Sequence, residues 1–220
     1  VAISASFDAG LSDRFLDPYR FALAVLNDPG DCVPRLLRGY GHGDLHGRNV
    51  LVGRVGDRVL WPAVFDYGDM GMDNLIGWDF VKMETEFKIR AYPELFPVPA
   101  QAFVGEVIRM EHDLHTLTEE YRNNNQWPLK PVNATSPVER FRWLVLMMRK
   151  QASQQMGLYR NRSREWLAEY YFLLAIYGLN GMRFENLTDM QRLGAYLSAG
   201  CAASRYVWDR NLTHESGESA

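Results

Sequence analysis

The 220-residue chain reads as a mainly α-helical α+β domain that carries one small β-hairpin. Three observations predict this class. From Gly77 nearly to the end, long segments repeat apolar residues at helical spacing. Ahead of them, two short apolar and β-branched runs, "NVLVG" and "VLWPAVFD", flank "RVGDR", whose Gly56-Asp57 pair suits a hairpin turn. An apolar content of 47%, with 13% aromatic residues, is enough to fill a substantial core.

Taken in order, "DPYRFALAVLND" reads as a helix, with Pro18 suited to the first helical position and "NDPGD" ending it. "VPRLLRGYG" leads into the glycine-rich stretch "GYGHGDLHGRNVLV". The hairpin is expected from Asn49 to Asp66, with Pro62 placing its second strand at an edge or a bulge. Helices are then expected over 78–92, 99–122, 136–156, 163–182 and 187–210. Ser136-Pro137 with Glu139, and Ser163 with Glu165, resemble caps ahead of acidic first turns. "NNNQWPLKPVN", 123–133, is the one long loop-like stretch. The reading is a single domain over 1–212 and a disordered tail over 213–220.

A formal charge of −3 leaves no basic footprint for nucleic acid or an anionic membrane. No run approaches eighteen apolar residues, and the N-terminus carries Asp8 and Asp13 and lacks a basic stretch, so neither a membrane span nor a signal peptide is expected. Cys32 and Cys201 make no disulfide framework. A reduced, cytoplasmic protein is the expectation.

The chemistry gathers around the glycine-rich stretch. Asn49 follows Asp44 by five positions, at the threshold of the first strand, and Asp66 stands at the end of the second. An antiparallel hairpin brings the start of one strand beside the end of the other, so Asn49 and Asp66 become neighbours and Asp44 lies close to both. Two carboxylates and a carboxamide are hard oxygen donors, which suit Mg²⁺ completed by substrate phosphates.

"HGDLHGRN" resembles the catalytic loop of the aminoglycoside phosphotransferase and choline kinase group, whose usual form is HGDxHxxN. It is also similar to the protein-kinase loop, in which a base aspartate precedes a metal-binding asparagine by five residues. "VFDYGD" resembles the metal-binding segment of these kinases and "GWDF" a later aspartate, so the likeness covers about Gly39 to Phe80, in order. It implies a kinase-like C-terminal lobe and an ATP- and Mg²⁺-dependent phosphotransferase acting on a small-molecule hydroxyl. Carried over by position, Asp44 would accept the hydroxyl proton, and Asn49 and Asp66 would hold Mg²⁺ against the nucleotide phosphates. His42 would brace the loop, and Asp79 would fix its backbone.

Gly47-Arg48 stands where the family usually has Pro-Gly or a similar pair, and Tyr67 where a phenylalanine is common. Arg48 either helps neutralise phosphate charge or faces solvent. The family's N-terminal β-lobe, with its phosphate loop and lysine, is absent from the reading: all four lysines, Lys82, Lys88, Lys130 and Lys150, follow the loop. The chain alone is therefore expected to be inactive, and surface left by the missing lobe makes self-association an expectation. The alternative is a non-catalytic kinase-like module that binds a nucleotide or a protein partner. Asp69 and Asp73 read as solvated loop residues, His46 as loop packing, and His112 and His115 as a solvated helix face. "ETEFK" and "EHDLHTLTEE" either line a pocket for a cationic substrate or face water.

Overall fold

The computed structural model describes residues 15–124, 126–133, 135–157 and 165–217. Helix α1, Pro18–Asn27, begins as its sequence dictates: Pro18 sits at the start, and the Asp17 carboxylate accepts the Tyr19 backbone N–H at 2.9 Å. A single turn, α2 (Pro29–Cys32), follows. Four short strands come next, β1 (Arg38–Gly41), β2 (Val50–Val55), β3 (Arg58–Val64) and β4 (Gly71–Leu75). The rest is helical: α3 (Ile76–Leu95), α4 (Ala100–Asn124), α5 (Pro137–Gly157), α6 (Trp166–Gly181) and α7 (Asp189–Gly217). The mainly helical α+β class is as the sequence predicts. The Ser136 cap holds too, its hydroxyl 3.4 Å from the Glu139 amide, whereas Ser163 lies outside the described residues.

Strands β2 and β3 form the expected hairpin, with Val50 opposite Val64 and Val55 opposite Arg58. Gly56 opens its two-residue turn at φ 57°, a left-handed conformation that favours glycine. Pro62 is tolerated because the ribbon has only two strands, so its missing N–H faces no ladder partner; a register shift lies just beyond, between Gly53 and Arg54. A second ribbon adds to the expected hairpin: β1 pairs antiparallel with β4, Arg38 opposite Leu75 and Gly41 opposite Gly71. Residues 42–49, the polar loop, therefore run from one ribbon to the other.

Among the described residues the helices close over two large apolar clusters and a small one around Ile89, Leu187 and Ala195. Helix α6 is buried round most of its circumference, with Trp166, Leu167, Tyr170, Phe172, Leu173, Leu174 and Tyr177 all inside, so it forms the central rod. It packs against α3, α5 and α7, with Val81, Met156, Ala203 and Tyr206 in the same cluster. The second cluster joins α4, α5 and α7 through Phe103, Val107, Leu114, Phe141, Val145 and Leu197. No helix among the described residues is long and apolar enough to cross a membrane.

Helix α3 also carries a buried ionic network. Glu84, fully buried, accepts from Arg149 at 2.7 and 3.1 Å, from Lys88 at 2.6 Å and from the Tyr170 hydroxyl at 2.7 Å. Lys88 reaches on to Glu111 at 2.8 Å, and Glu111 accepts the Tyr92 hydroxyl at 2.6 Å. Two cations thus meet two carboxylates, and Arg149 Nη1 donates to Leu114 O and Thr118 Oγ1, with the Tyr171 hydroxyl 3.4 Å away. This corrects the reading of "ETEFK" as pocket lining or wet surface, and of "EHDLHTLTEE" at Glu111; Thr116 and Glu120 of the latter do face water. Glu84, Lys88 and Glu111 face one another across the α3–α4–α5 junction. The solvated face expected for His112 and His115 is also overturned. His115 Nδ1 lies 2.7 Å from the Tyr171 hydroxyl, and His112 Nδ1 lies 2.6 Å from an Arg205 nitrogen. Burial first, then the neighbouring Arg205, pushes the His115 ring down to about 3.

Candidate functional site

The loop between β1 and β2 is held from below by one carboxylate. Asp79, buried in the first turn of α3, accepts the His42 amide at 2.7 Å on Oδ2 and the Leu45 amide at 3.2 Å on Oδ1. These two amides bracket Gly43 and Asp44, so the turn bearing Asp44 is fixed at both ends. Gly43 takes φ 81°, and a Cβ there would stand 2.6 Å from the Asp69 carbonyl oxygen; only glycine fits without strain. Asn74 ties the same turn to β4, donating to Gly41 O at 3.0 Å and Asp69 O at 2.9 Å.

His42 is buried beneath the loop. Its Nε2 lies 3.0 Å from Phe65 O, and its Nδ1 accepts the Asp44 amide at 3.3 Å. The tautomer with its proton on Nε2 satisfies both partners. His42 thereby ties Asp44 to the segment after β3, with the Tyr67 ring packed 5.3 Å from its own.

Asn49 is buried at the end of a 3₁₀ turn, Gly47–Asn49, which His46 caps by accepting the Arg48 amide at 3.2 Å. The Asn49 Nδ2 donates to Asp44 O at 2.9 Å and to Asp44 Oδ2 at 3.2 Å. With its amino group committed, its carbonyl oxygen Oδ1 faces no donor among the described residues. Asn49 O accepts the Phe65 amide at 3.1 Å, extending the hairpin register by one pair and setting Asp66 just past the open end. Asp66 is exposed and adopts φ 62°, the only non-glycine residue with positive φ among those described. Such backbone strain costs of order 1–3 kcal/mol and collects at functional sites.

The donors near the hairpin's open end are oxygens, the kind a hard cation takes. Asn49 Oδ1 and the Asp66 carboxylate are oxygens with no protein donor among the described residues, and both flank the open end of the hairpin. No group of three or more His, Cys, Asp or Glu residues suited to a metal occurs among the described residues. Mg²⁺ held here would take these two oxygens and complete its shell from outside the chain.

Sequence reasoning missed a cation. Lys82, one turn after Asp79 on α3, places its ammonium on Asp44 Oδ1. Burial lowers its pKa, opposed by the negative charge of Glu86. The signal was present: positions three apart on a helix share a face, so a lysine at 82 accompanies Asp79 to the loop. His46 Nε2 lies 3.6 Å from Asp44 Oδ2, too long for a hydrogen bond. Burial and then Arg48 lower the His46 pKa, so this contact is not an ion pair at neutral pH. Arg48 itself is exposed. Asp69 and Asp73 are also exposed, and Asp73 pairs with Arg38 at 3.1 Å. Together with Gly43, Asn74 and Trp78, these residues line an open groove of about 410 Å³ beside the loop.

The chain matches no known protein family, no curated protein and no solved structure at a significant level.

Proposed function

We propose that this chain is the kinase-like C-terminal lobe of an ATP- and Mg²⁺-dependent phosphotransferase of the aminoglycoside phosphotransferase type, acting on a hydroxyl of a small molecule. One observation carries the reading: Asp79 clamps both backbone amides around the Asp44 turn while Asn49 is bonded to Asp44 itself. A loop held this firmly to present one carboxylate fits a reaction whose rate comes mainly from positioning.

In this reading Asp44 accepts the hydroxyl proton as the substrate oxygen forms its bond to the γ-phosphorus. The bond from that phosphorus to the bridging oxygen breaks, and ADP leaves with the electron pair. Bound Mg²⁺ would neutralise phosphate charge. Asn49 and Asp66 would hold it, while His42 and Asp79 keep the loop in place. The groove of about 410 Å³ beside Gly43, bordered by Asp69 and Asp73, is the proposed seat of the acceptor. Both cysteines are free thiols, which suits a cytoplasmic location.

The exposed apolar side chains of the hairpin, Leu51, Val55, Val59, Leu60 and Trp61, favour a second reading, a non-catalytic module that docks a partner there. Mutants of the full-length protein separate the two. For an enzyme, Asp44→Ala lowers phosphoryl transfer to a panel of hydroxylated acceptors by about 100- to 10,000-fold. Nucleotide affinity stays nearly unchanged, because the base acts on the acceptor. Asp66→Ala weakens Mg·ATP binding as well. Equal, small effects from both would leave the docking module standing and the phosphotransferase reading refuted.

A further inference from the structure

Lys82 has donors to spare. An ammonium carries three N–H groups, and Asp44 is the one hydrogen-bond acceptor it reaches among the described residues. Its side chain is 13% exposed, set over the Tyr177 ring with Nζ 5.9 Å from the centroid, whereas the Asp44 side chain is 29% exposed. The pair therefore sits at the mouth of the site. Lys88, which is buried, is by contrast closed in between Glu84 and Glu111.

Asp44 leaves little choice about where a phosphoryl group would stand. Asn49 takes one lone pair of Oδ2, so an acceptor hydroxyl bonds a remaining lone pair on the open side. For in-line attack, the phosphorus must lie about 3–3.5 Å from that hydroxyl oxygen. Its equatorial oxygens then fall within one side-chain rotation of an ammonium already in contact with Oδ1. We propose that Lys82 bridges Asp44 and the γ-phosphoryl group, donating to both, so that one cation fixes the base and the transferred group in register. This rests on the phosphotransferase reading. The proton still passes from the hydroxyl to Asp44, and Lys82 stays charged throughout.

The test compares two nucleotides that differ in the group Lys82 touches. On the full-length protein, calorimetric titrations use Mg·ADP and the Mg complex of the β,γ-imido analogue of ATP. Lys82→Met is expected to weaken the triphosphate about 10- to 100-fold, the range of a hydrogen bond to a charged group. Its affinity for Mg·ADP should stay within about twofold, because ADP lacks the γ-phosphoryl. Lys82→Arg recovers most of the loss. Turnover falls with the triphosphate affinity while KM for the acceptor holds. Should Lys82→Met fail to fold by circular dichroism, Lys82→Gln carries the same comparison with a neutral donor. Equal losses for both nucleotides, or none for either, while Asp44→Ala still abolishes transfer, overturn the role of Lys82 and leave the phosphotransferase reading intact. If Asp44→Ala also leaves transfer untouched, both fall together.

Discussion

Acid should release the core through Glu84. Burial alone would raise the pKa of this carboxyl, but Arg149 and then Lys88 outweigh it and hold it at about 2, against 4.5 for an unburied glutamate. At ~1.4 kcal/mol per pH unit, the difference makes the charged form worth about 3 kcal/mol to the folded state. A depressed folded-state value means stability that is complete above the unfolded value and lost as pH falls. The window here runs from about pH 5 to pH 2. Glu84→Gln removes that charge at every pH and leaves Arg149 and Lys88 buried with Glu111 as their one carboxylate. At pH 7.5 the variant should be less stable by about 3–5 kcal/mol, the usual cost of breaking a buried pair. Urea denaturation of both proteins at pH 7.5, 5 and 3 checks this. Other carboxylates titrate in both, so the informative quantity is the gap between them, which should close by about 2 kcal/mol between pH 7.5 and 3. Adding Arg149→Met to the variant should recover part of the loss, since it removes an unpaired buried cation. A gap below about 1 kcal/mol at pH 7.5, or one that does not change with pH, would refute the reasoning.

Two further outcomes concern the loop. Asp79→Asn keeps one acceptor and turns an N–H toward a backbone N–H, so hydrogen exchange at His42 and Leu45 should accelerate while the amides of α6 stay protected; unchanged exchange at both would mean that Asp79 does not hold the loop. Gly43→Ala should cost about 2 kcal/mol and lower Tm by about 4–8 °C, because its Cβ meets the Asp69 carbonyl at φ 81°. Gly47→Ala, with open space around it, is the matched control and should leave Tm nearly unchanged.

Much of the site was legible because its parts obey local rules. Loop spacing places Asn49 on Asp44, and the period of a hairpin brings Asp66 past its open end; both arguments need only chain geometry. Strands β1 and β4 were not legible. Arg38–Gly41 is half glycine, and β4 exposes Met72 and Asp73, so neither shows the alternation that marks a strand. They pair because their neighbours fix them. Glu169, fully buried on α6, accepts the Leu37 amide at 2.7 Å, and the Ile76 amide donates to Leu37 O at 3.0 Å. The buried network hid for a different reason. Glu84 and Lys88 at i,i+4 look the same in sequence as a pair on a wet helix face. Only Arg149 and Glu111, 65 and 23 positions away from Glu84 and Lys88 respectively, make the interior tolerable for them.

These hidden contacts converge on one element. Helix α3 begins with Asp79 under the loop, presents Lys82 to Asp44 one turn later, and anchors in the core through Glu84 and Lys88. Asp79 and Lys82 can hold the loop and its carboxylate at fixed positions only if the helix bearing them cannot rotate or slide. The apolar contacts of Val81 and Ile89 resist separation but are non-directional, and a small rotation would cost them little. Arg149 is directional: its guanidinium meets Glu84 through two nitrogens, and its third is bonded to α4. The network therefore fixes the register of α3 against α4 and α5, a role that hydrophobic residues of equal volume would not fill. A buried ionic cluster beneath a candidate active loop is thus best understood as the part of the core that sets where Asp79 and Lys82 stand.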